Sequence, residues 1–585
     1  MHITVVATDF DGTIAQDEQI DPDVARVLRR LRAAGTLTVL VSGRPFEFLH
    51  TLQDRTQAFD LIVAENGAVL YNPRTDEISL PFGEVPTDLI DALARLGVPL
   101  WRGIAAAGIN ARYDDAVWVA SRELGLAVHI EANRSEVMLL PPGANKGAGL
   151  LNLLKSEGLS PRNLLAFGDA ENDCSFLQMA EVKVAVANAV ESLKAIADHV
   201  TPEAGPTGVV NFIERYLLDR GAFDFPVRGA HHFSIGEDGI HLNAHDLVNR
   251  NLLIAGGSGY GKSWLASRLA DGLISGGYQL LVLDPVGDLR ALRRHATCLC
   301  LGFGQEAMPP IDLVVQLLAE TDLSLVVDLS HPPTPQEQVL YVAGLLRRML
   351  EVHRRFGKPH WLLLDEAQDL LGGRDNPARL ALLRGEGSPG VCLVTWRPSQ
   401  LDGALVEQID SFVLTRHRLN REVEYLSGLL ADRGFDVTGL PVRLDALGEG
   451  QALIGGVTPS LANTLITLKF QVGSRVFPNM HNLYQHLEET VTPTKQFYFH
   501  DETAKTPPAG NLSEFIDRIE ILDLSVVAYH FQRGDFSRWI RTVLHDETLA
   551  RWLDRLQTTD LSGESLRQAM IEAFKQRHHA LERLI

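Results

Sequence analysis

Apolar runs separated by amphipathic segments fill the first 220 residues of the chain. Residues 3–10 (ITVVATDF), 37–43 (LTVLVSG) and 60–66 (DLIVAEN) are strand-like, and residues 21–35 have the spacing of an amphipathic helix. This alternation predicts an α/β domain with a doubly wound, Rossmann-like parallel sheet. The same pattern resumes in residues 163–188, where NLLAFGD and VKVAVAN are two further strand-like runs.

A different pattern interrupts this alternation between residues 81 and 141. Two amphipathic segments, 87–96 and 114–124, predict helices, and two short strands are expected to follow them. Because this segment lacks the strand–helix alternation on either side of it, we predict a small α+β domain inserted into the first one.

Two more regions follow the first domain. Residues 230–480 form a second α/β block, whose strand-like runs are NLLIAG, YQLLVLD, LSLVVDLS, HWLLLDE and GVCLVTW. Residues 490–585 are mostly helical in pattern, with residues 539–556 as the clearest amphipathic stretch. We therefore predict three domains, with boundaries at 1–220, 230–480 and 490–585.

Composition narrows the possible partners and compartment. The chain has 585 residues and a net charge of −20, so a broad basic surface for nucleic acid is not expected, although a local basic ring in a pore is compatible with this charge. No run approaches the ~20 apolar residues that span a bilayer, which predicts a cytoplasmic protein without a membrane partner. The four cysteines form no CxxC pair and are expected to be reduced.

Acidic residues follow the first predicted strand, where an open parallel sheet binds its ligands. Asp9 and Asp11 lie two positions apart, so one carboxylate can attack a phosphoryl group while the other transfers a proton. A pocket this acidic needs a cation, and oxygen ligands favour Mg²⁺. Four further polar residues follow later strands or begin helices, namely Ser42, Lys146, Asp169 and Asp173.

This set of motifs resembles the haloacid dehalogenase superfamily, and in particular the Cof-like phosphatases with an inserted cap. AENGA at 64–68 and the ending VANA…ADHVT…GV belong to the same resemblance, which covers about residues 1–215. The resemblance implies that Asp9 is the nucleophile and Asp11 the acid/base, with residues 81–141 as the cap. Caps choose the substrate in this family, and the sequence leaves the substrate open.

The same resemblance assigns the phosphate and metal ligands. Ser42 and Lys146 are expected to bind the phosphate. Mg²⁺ is expected between Asp9, the backbone carbonyl of Asp11 and Asp169, with Asp173 supporting the metal.

A glycine-rich loop, GGSGYGKS at residues 256–263, follows a strand and leads into a helix. It matches G-x-x-x-x-G-K-[ST], in which backbone amides surround the phosphates of a nucleotide and the helix N-terminus favours the anion. Lys262 is expected at the β- and γ-phosphates of ATP and Ser263 on its Mg²⁺. The predicted nucleotide-binding residues are Gly256, Gly257, Ser258, Gly259, Tyr260, Gly261, Lys262, Ser263, Trp264 and Asp365.

A second motif, Asp365 followed by Glu366, ends the apolar run HWLLL. Asp365 is expected in the Mg²⁺ shell, and Glu366 is expected to polarise the attacking water. Together with LVLDPVGDL, LVVDLS, VTWRPSQLD and LGEGQALIGG, the region resembles HerA/FtsK-type ATPases. That resemblance implies a hexameric ring that hydrolyses ATP between subunits, often to move DNA. The chain departs from the family at Trp396, where a polar glutamine is usual.

Two functional hypotheses follow. The first is a bifunctional hydrolase: a Mg²⁺-dependent phosphatase that acts through an aspartyl-phosphate, fused to a HerA-like ATPase ring. DNA, a nucleotide or a phosphorylated small molecule is then the expected partner, with roles in DNA processing or phage defence suggested by analogy. The alternative is an ATP-bound oligomeric scaffold or regulator of a sugar-phosphate phosphatase, without DNA translocation.

Overall fold

In the computed structural model, residues from the first part of the chain form the first of two large, mostly parallel sheets. The structure describes residues 3–582 except 134–135, 220–222, 229–230, 237–239, 258–259, 303–307, 331–333, 374–375, 384–387, 418, 449, 459–460, 462, 471–495, 500–506, 545, 558 and 560. In spatial order, the eight strands of this sheet are His199–Val200, Val182–Ala185, Leu164–Gly168, Val5–Thr8, Leu37–Val41, Leu61–Ala64, Val69–Asn72 and Glu77–Ser79.

The first six strands of this sheet run parallel, and the last two are antiparallel. The central strands are apolar and buried along their whole length because helices cover both faces of the sheet. The covering helices are Pro22–Ala33, Phe46–Thr56, Lys146–Ser156, Cys174–Met179, Glu191–Ile196 and Gly205–Phe212. This strand order confirms the predicted α/β fold with a Rossmann-like parallel sheet.

The helix at Pro22–Ala33 shows how the sequence specifies these elements. Asp21 precedes it and accepts a hydrogen bond from the Asp23 amide, while Pro22 occupies the first turn, where no amide donor is required. Its buried residues recur at helical spacing and face the sheet: Val24, Val27, Leu28 and Leu31.

The inserted cap has more strands than the sequence pattern suggested. Helices Thr87–Arg95 and Asp114–Leu124 are present, as predicted. The strands number four, in the antiparallel order His129–Asn133, Glu136–Leu140, Ala107–Asn110 and Leu100–Arg102. The two predicted strands are His129–Asn133 and Glu136–Leu140, which follow the second helix. The other two lie between the helices and were missed because they are three and four residues long, too short for alternation to stand out.

The second large sheet has nine strands. In spatial order they are Cys298–Leu301, Ser324–Asp328, Leu280–Asp284, Trp361–Leu364, Gly390–Thr395, Leu252–Ala255, Ser411–Leu414, Gln451–Gly455 and Ile466–Lys469. The first seven are parallel and the last two antiparallel. The helices of this region are Ala244–Val248, Lys262–Ser275, Ile311–Glu320, Pro335–Phe356, Ala367–Leu371, Pro377–Leu383, Gly403–Val406, Asn420–Asp432 and Leu440–Ala446.

The C-terminal region is helical and has its own core. Its helices are Leu512–Ile521, Leu524–Gln532, Asp535–Thr542, Glu547–Leu556 and Gly563–Glu582. The amphipathic stretch 539–556 is divided between two of them, and Asp546 begins the second by accepting the Leu549 amide. Across the described residues, no helix has the length and apolar composition needed to cross a membrane.

A buried polar cluster joins the two large sheets. Glu181, almost fully buried, accepts hydrogen bonds from Arg162 (3.1 Å), from His245 Nδ1 (2.7 Å) and from the Tyr278 hydroxyl (2.7 Å). Burial alone would raise the pKa of Glu181, but His245 and Arg162 outweigh it and hold the pKa below its ordinary value. We call Arg162, Glu181, His245 and Tyr278 the Glu181 cluster.

A second contact lies beside the Glu181 cluster. The Asn163 amide donates to the carbonyl of Gly357, and its oxygen pairs with His360 Nε2 at 3.1 Å. His360 Nδ1 accepts the amide of Gln279, which makes Nε2 the protonated nitrogen. Burial lowers the pKa of His360 to about 3, so this bridge is neutral at physiological pH.

These contacts meet at the amino ends of strands in both sheets. Asn163 directly precedes Leu164–Gly168, and His360 directly precedes Trp361–Leu364. Asp169 and Asp365 follow the same two strands at their opposite ends. Each strand spans ~15 Å, so each acidic residue lies about that far from the contact between the two sheets.

We predict that Glu181→Ala destabilises the chain by about 3 kcal/mol, because Arg162 and His245 are left buried without their carboxylate. Thermal unfolding at neutral pH checks this. Since the pKa of Glu181 is lowered, its contribution is present above the unfolded-state pKa and lost as pH falls through the folded one. The exposed Glu191→Ala is the control. Equal melting temperatures for the two variants would contradict the role of the Glu181 cluster.

Candidate functional site

The carboxyl edge of the first sheet brings together four of the residues singled out in the sequence. Carboxylate oxygens of Asp9, Asp169 and Asp173 lie within 4.8 Å of one another. Lys146 Nζ donates to Asp9 and to Asp173, at 2.6 Å in both cases. Asp9 and Asp169 follow neighbouring parallel strands, and Lys146 begins the helix that follows the cap.

Burial sets the electrostatics of this group. Lys146 is almost fully buried, which alone would lower its pKa, but Asp173 and Asp9 outweigh burial and raise it. The ammonium is therefore charged throughout the physiological range. Burial and the nearby Asp173 raise the pKa of Asp9, while Lys146 opposes that change. One lysine thus balances only part of the negative charge of three carboxylates.

The remaining negative charge and the donor set fit a hard divalent cation. Three carboxylates supply oxygen ligands of the kind that Mg²⁺ prefers. Gly12 leaves room for them: with φ of +79°, it approaches Asp169 so closely that a Cβ would lie 2.4 Å from the Asp169 oxygen. Thr13 holds that side chain by donating to Asp169 Oδ1 at 3.2 Å. Asp9 and Asp169 are therefore in position to hold Mg²⁺.

Asp11 has a partner that the sequence did not reveal. Arg44 donates to both of its carboxylate oxygens, at 3.0 and 2.8 Å, and also contacts Glu18. Half of the Asp11 side chain is exposed. Asp11 must leave this bidentate pair before it can exchange a proton with a substrate. Ser42 is buried next to it, and its hydroxyl accepts the Arg44 amide at 3.1 Å.

Glu65 fastens the cap to this site. Its carboxylate is fully buried and accepts amides from Ile104, Ala105 and Ala106 in the cap, all at 2.8 to 2.9 Å. It also accepts the Phe46 amide of the first domain. Glu65 belongs to the AENGA motif. The sequence alone did not show its function of binding the cap, because the amides that its carboxylate accepts lie about forty positions away in the chain.

The glycine-rich loop lies at the carboxyl edge of the second sheet. Gly261 has φ of +90° and begins the helix Lys262–Ser275, which includes Ser263 in its first turn. Lys262 is buried and donates to the Gly257 carbonyl at 3.1 Å, so it folds back on its own loop. Ser258 and Gly259 lie outside the described residues.

Three other residues of the predicted nucleotide-binding loop each contact a different part of the second domain. Gly256 follows the strand Leu252–Ala255 and packs against Thr415. The Tyr260 ring lies beside Arg416, 5.8 Å from its guanidinium carbon. Trp264 stacks on Phe470 with ring centroids 5.0 Å apart, which places it in a packing contact.

The acidic pair of the second sheet includes an amide that the sequence reading missed. Asp365 is buried, and one of its oxygens has no hydrogen-bond partner among the described residues. Gln368 donates to Glu366 at 2.7 Å, and its oxygen accepts the Thr395 hydroxyl at 2.6 Å. The polar side chain expected at Trp396 is thus absent there, but an amide reaches Glu366 from Gln368.

Trp396, where the sequence departs from the HerA/FtsK pattern, is held by packing and by a backbone hydrogen bond. Its ring stacks under Arg397, 3.8 Å from the guanidinium carbon, and its carbonyl pairs with the buried His417. Burial lowers the pKa of His417. The indole therefore packs against neighbours of its own loop.

Two family models match the chain. Residues 6–81 and 123–213 match the model for haloacid dehalogenase-like hydrolase, and residues 236–360 match the model for Helicase HerA, central domain. The unmatched residues between the first two segments belong to the cap.

Several individual proteins match the first of these regions. Phosphoglycolate phosphatase 2 of Saccharolobus solfataricus is 30% identical over 218 residues, which cover 36% of this chain and 92% of that protein. Phosphoglycolate phosphatase of Methanothermobacter thermautotrophicus is 29% identical over 220 residues, covering 36% and 98%. The crystal structure of a haloacid dehalogenase-like hydrolase from Bacteroides thetaiotaomicron is 21% identical, covers 37% of this chain and 99% of its own, and has a TM-score of 0.32.

The fold, the carboxylate group and these matches define a hydrolase of phosphate esters joined to a nucleotide-binding domain. The chain belongs to the haloacid dehalogenase-like hydrolases, as a phosphatase, and carries a HerA-type ATPase domain after it. Both resemblances seen in the sequence are confirmed.

We predict that Lys146→Met destabilises the metal-free protein by ~3 kcal/mol or more, because Asp9 and Asp173 lose their buried counter-charge. The loss should grow as pH rises, since a carboxyl with a raised pKa loses stability as pH rises through that pKa. Thermal unfolding in a chelator measures it. Lys155→Met, exposed on the same helix, is the control. A loss no larger than that of the control would count against the proposed charge balance.

We also predict that Gln368→Leu lowers ATP turnover about tenfold while nucleotide affinity changes little, because Glu366 loses its amide donor. Steady-state hydrolysis and fluorescent-nucleotide binding separate the two effects. The control is Gln316→Leu, an exposed amide on another helix of the same region. Unchanged turnover in Gln368→Leu would show that this amide has no part in hydrolysis.

Proposed function

We propose that the first domain is a Mg²⁺-dependent phosphomonoesterase that acts through a phosphoryl group on Asp9. The observation that carries the proposal is the convergence of Asp9, Lys146, Asp169 and Asp173 at one sheet edge beneath a cap. Two acids joined by a charged lysine suit the binding and transfer of a dianionic phosphate better than a purely structural role.

The proposed reaction has two steps. An Asp9 oxygen attacks phosphorus, the bond from phosphorus to the leaving oxygen breaks, and Asp11 donates a proton to that oxygen. Water then attacks the phosphorus, Asp11 takes its proton, and the bond to Asp9 breaks. Lys146 and Ser42 hold the phosphate oxygens. Mg²⁺ held by Asp9, the Asp11 carbonyl and Asp169, with Asp173 in support, would offset the charge of the phosphate.

Asp11 serves in this reaction only after it leaves Arg44. A dianionic phosphate arriving beside Ser42 offers Arg44 another anion, so substrate can release the acid where it is needed. Phosphoglycolate, which appears in the names of two relatives described above, is one phosphomonoester to be compared with others.

For the second domain we propose ATP binding by residues 256–264, with Lys262 and Ser263 at the phosphates and Mg²⁺. Asp365 belongs to the Mg²⁺ shell and Glu366 polarises water. A hexameric ring that hydrolyses ATP between subunits and engages DNA is the leading form of this proposal, with the cytoplasm as its location. The amide of Gln368 at Glu366 supports hydrolysis despite Trp396.

The second candidate function is an ATP-bound oligomeric scaffold for a small-molecule phosphatase. The positions of Asp169 and Asp365 favour it, because each follows the end of its strand away from the contact between the two sheets, and that contact does not bring the two sites together. Under this alternative, ATP holds the oligomer and DNA plays no part.

We predict independent losses in two variants. Asp9→Asn should lower phosphatase turnover by about a thousandfold or more, since the amide is a poor nucleophile, and leave ATP binding intact. Lys262→Ala should do the reverse. Turnover of p-nitrophenyl phosphate and binding of a fluorescent ATP analogue measure the two sites. Phosphatase activity that survives in Asp9→Asn would rule out the proposed nucleophile.

ATP hydrolysis measured with and without DNA distinguishes the two forms of the second domain. Stimulation by DNA that disappears in Lys262→Ala supports the ring motor. Absence of DNA binding at low salt, together with turnover of sugar phosphates by the same preparation, supports the scaffold.

A further inference from the structure

We propose that Glu131 of the cap selects the substrate of the phosphatase. It would favour a leaving group that carries a hydrogen-bond donor, a hydroxyl or an ammonium, over one that carries a carboxylate. The inference rests on the proposed phosphatase function and adds the chemical class of its substrate.

Strand pairing fixes the direction in which Glu131 points. Glu131 lies directly opposite Met138 in the cap hairpin, and residues opposite each other in an antiparallel pair project from the same face. The Met138 sulfur accepts the side-chain amide of Asn66 at 3.1 Å, so this face is turned toward the first domain. The Asn66 backbone amide donates to the carbonyl of Ser42, a proposed phosphate ligand.

Trp101 lies on the same face of the cap sheet as Met138. Gly108 pairs with both Trp101 and Met138, and a Cβ on Gly108 would lie 2.0 Å from the Trp101 indole nitrogen. The indole therefore covers Gly108 and packs on the core of the first domain. Trp101, Met138 and Glu131 form what we call the cap floor, in which Glu131 is the ionisable group.

One carboxylate oxygen of Glu131 lacks a hydrogen-bond donor among the residues that the structure describes. Its Oε2 is inaccessible to solvent and has no hydrogen-bond partner among the described residues. Lys146, His129 and Asp173 all lie within electrostatic range of this carboxylate, which places Glu131 on the side of the cap that faces the proposed phosphate site. Burial raises the pKa of Glu131, as expected for an acceptor without a donor.

A hydrogen-bond donor on the substrate removes this penalty. A hydroxyl or ammonium on the leaving group donates to the Glu131 oxygen and satisfies it. A carboxylate on the leaving group brings a second anion and no donor, which leaves both oxygens desolvated. A site that hydrogen-bonds one substrate group discriminates strongly against an analogue that lacks it.

Three phosphomonoesters with two-carbon leaving groups test this with the full chain and Mg²⁺. Hydroxyethyl phosphate, phosphoethanolamine and phosphoglycolate end in a hydroxyl, an ammonium and a carboxylate. Hydroxypropyl phosphate and phosphooxypropanoate, which differ only in a terminal hydroxyl or carboxylate, form a second, longer pair. We expect kcat/KM for the donor-bearing esters to exceed that of the matched carboxylate by about tenfold or more. The first two esters show which donor is preferred.

Glu131→Gln, which keeps the shape and removes the charge, should reduce each ratio to within about threefold of unity. The ratio is the decisive readout, because a general loss of activity or folding lowers both members of a pair alike. Glu123→Gln, an exposed cap residue with the same change in charge, should keep the wild-type ratios.

A carboxylate ester hydrolysed as well as its donor-bearing partner, or ratios unchanged in Glu131→Gln, would overturn the inference while leaving the phosphatase intact. A chain that hydrolyses none of these esters and not p-nitrophenyl phosphate would overturn the proposed function, and the inference with it.

Discussion

The buried ammonium of Lys146 is the interaction on which the phosphatase site depends. Three carboxylates meet at one sheet edge because parallel strands deliver Asp9 and Asp169 side by side, and like charges at that distance repel. Lys146 relieves part of the repulsion by donating to Asp9 and Asp173. The rest of the charge makes the site receptive to a cation, and the cation and lysine together make it receptive to phosphate.

The need for an ammonium at this place also explains where the chain returns from the cap to the first domain. Asn145 accepts the Ala148 amide and begins the helix at Lys146, which places the ammonium at the site with its first residue. The cap is held over the same edge by Glu65 and approaches it through the cap floor. Substrate therefore meets Lys146 on one side and Glu131 on the other.

The Glu181 cluster connects the two sheets at a place away from the carboxyl edges where both candidate sites lie. It joins the amino ends of strands whose carboxyl ends carry Asp169 and Asp365. Contacts at this joint are one route by which ATP binding can influence the phosphatase. The arrangement suits communication through structure better than transfer of a phosphoryl group.

The sequence predicted both α/β sheets and both motif sets, since apolar runs and phosphate-binding motifs are local in the chain. It did not predict partners that depend on distant residues. Arg44 on Asp11, Gln368 on Glu366 and Glu181 at the joint are ordinary polar residues until the fold brings their partners close. The two cap strands between the helices were not predicted, because a run of three or four residues is too short to show the alternation of a strand.

The most direct test of the account is a crystal structure of the full chain grown with magnesium and beryllium fluoride, which mimics a phosphoryl group on a carboxylate. The account predicts beryllium bonded to an Asp9 oxygen, Lys146 against one fluoride, and the metal between Asp9 and Asp169. Beryllium fluoride on another carboxylate, or a metal bound away from Asp9, would contradict it.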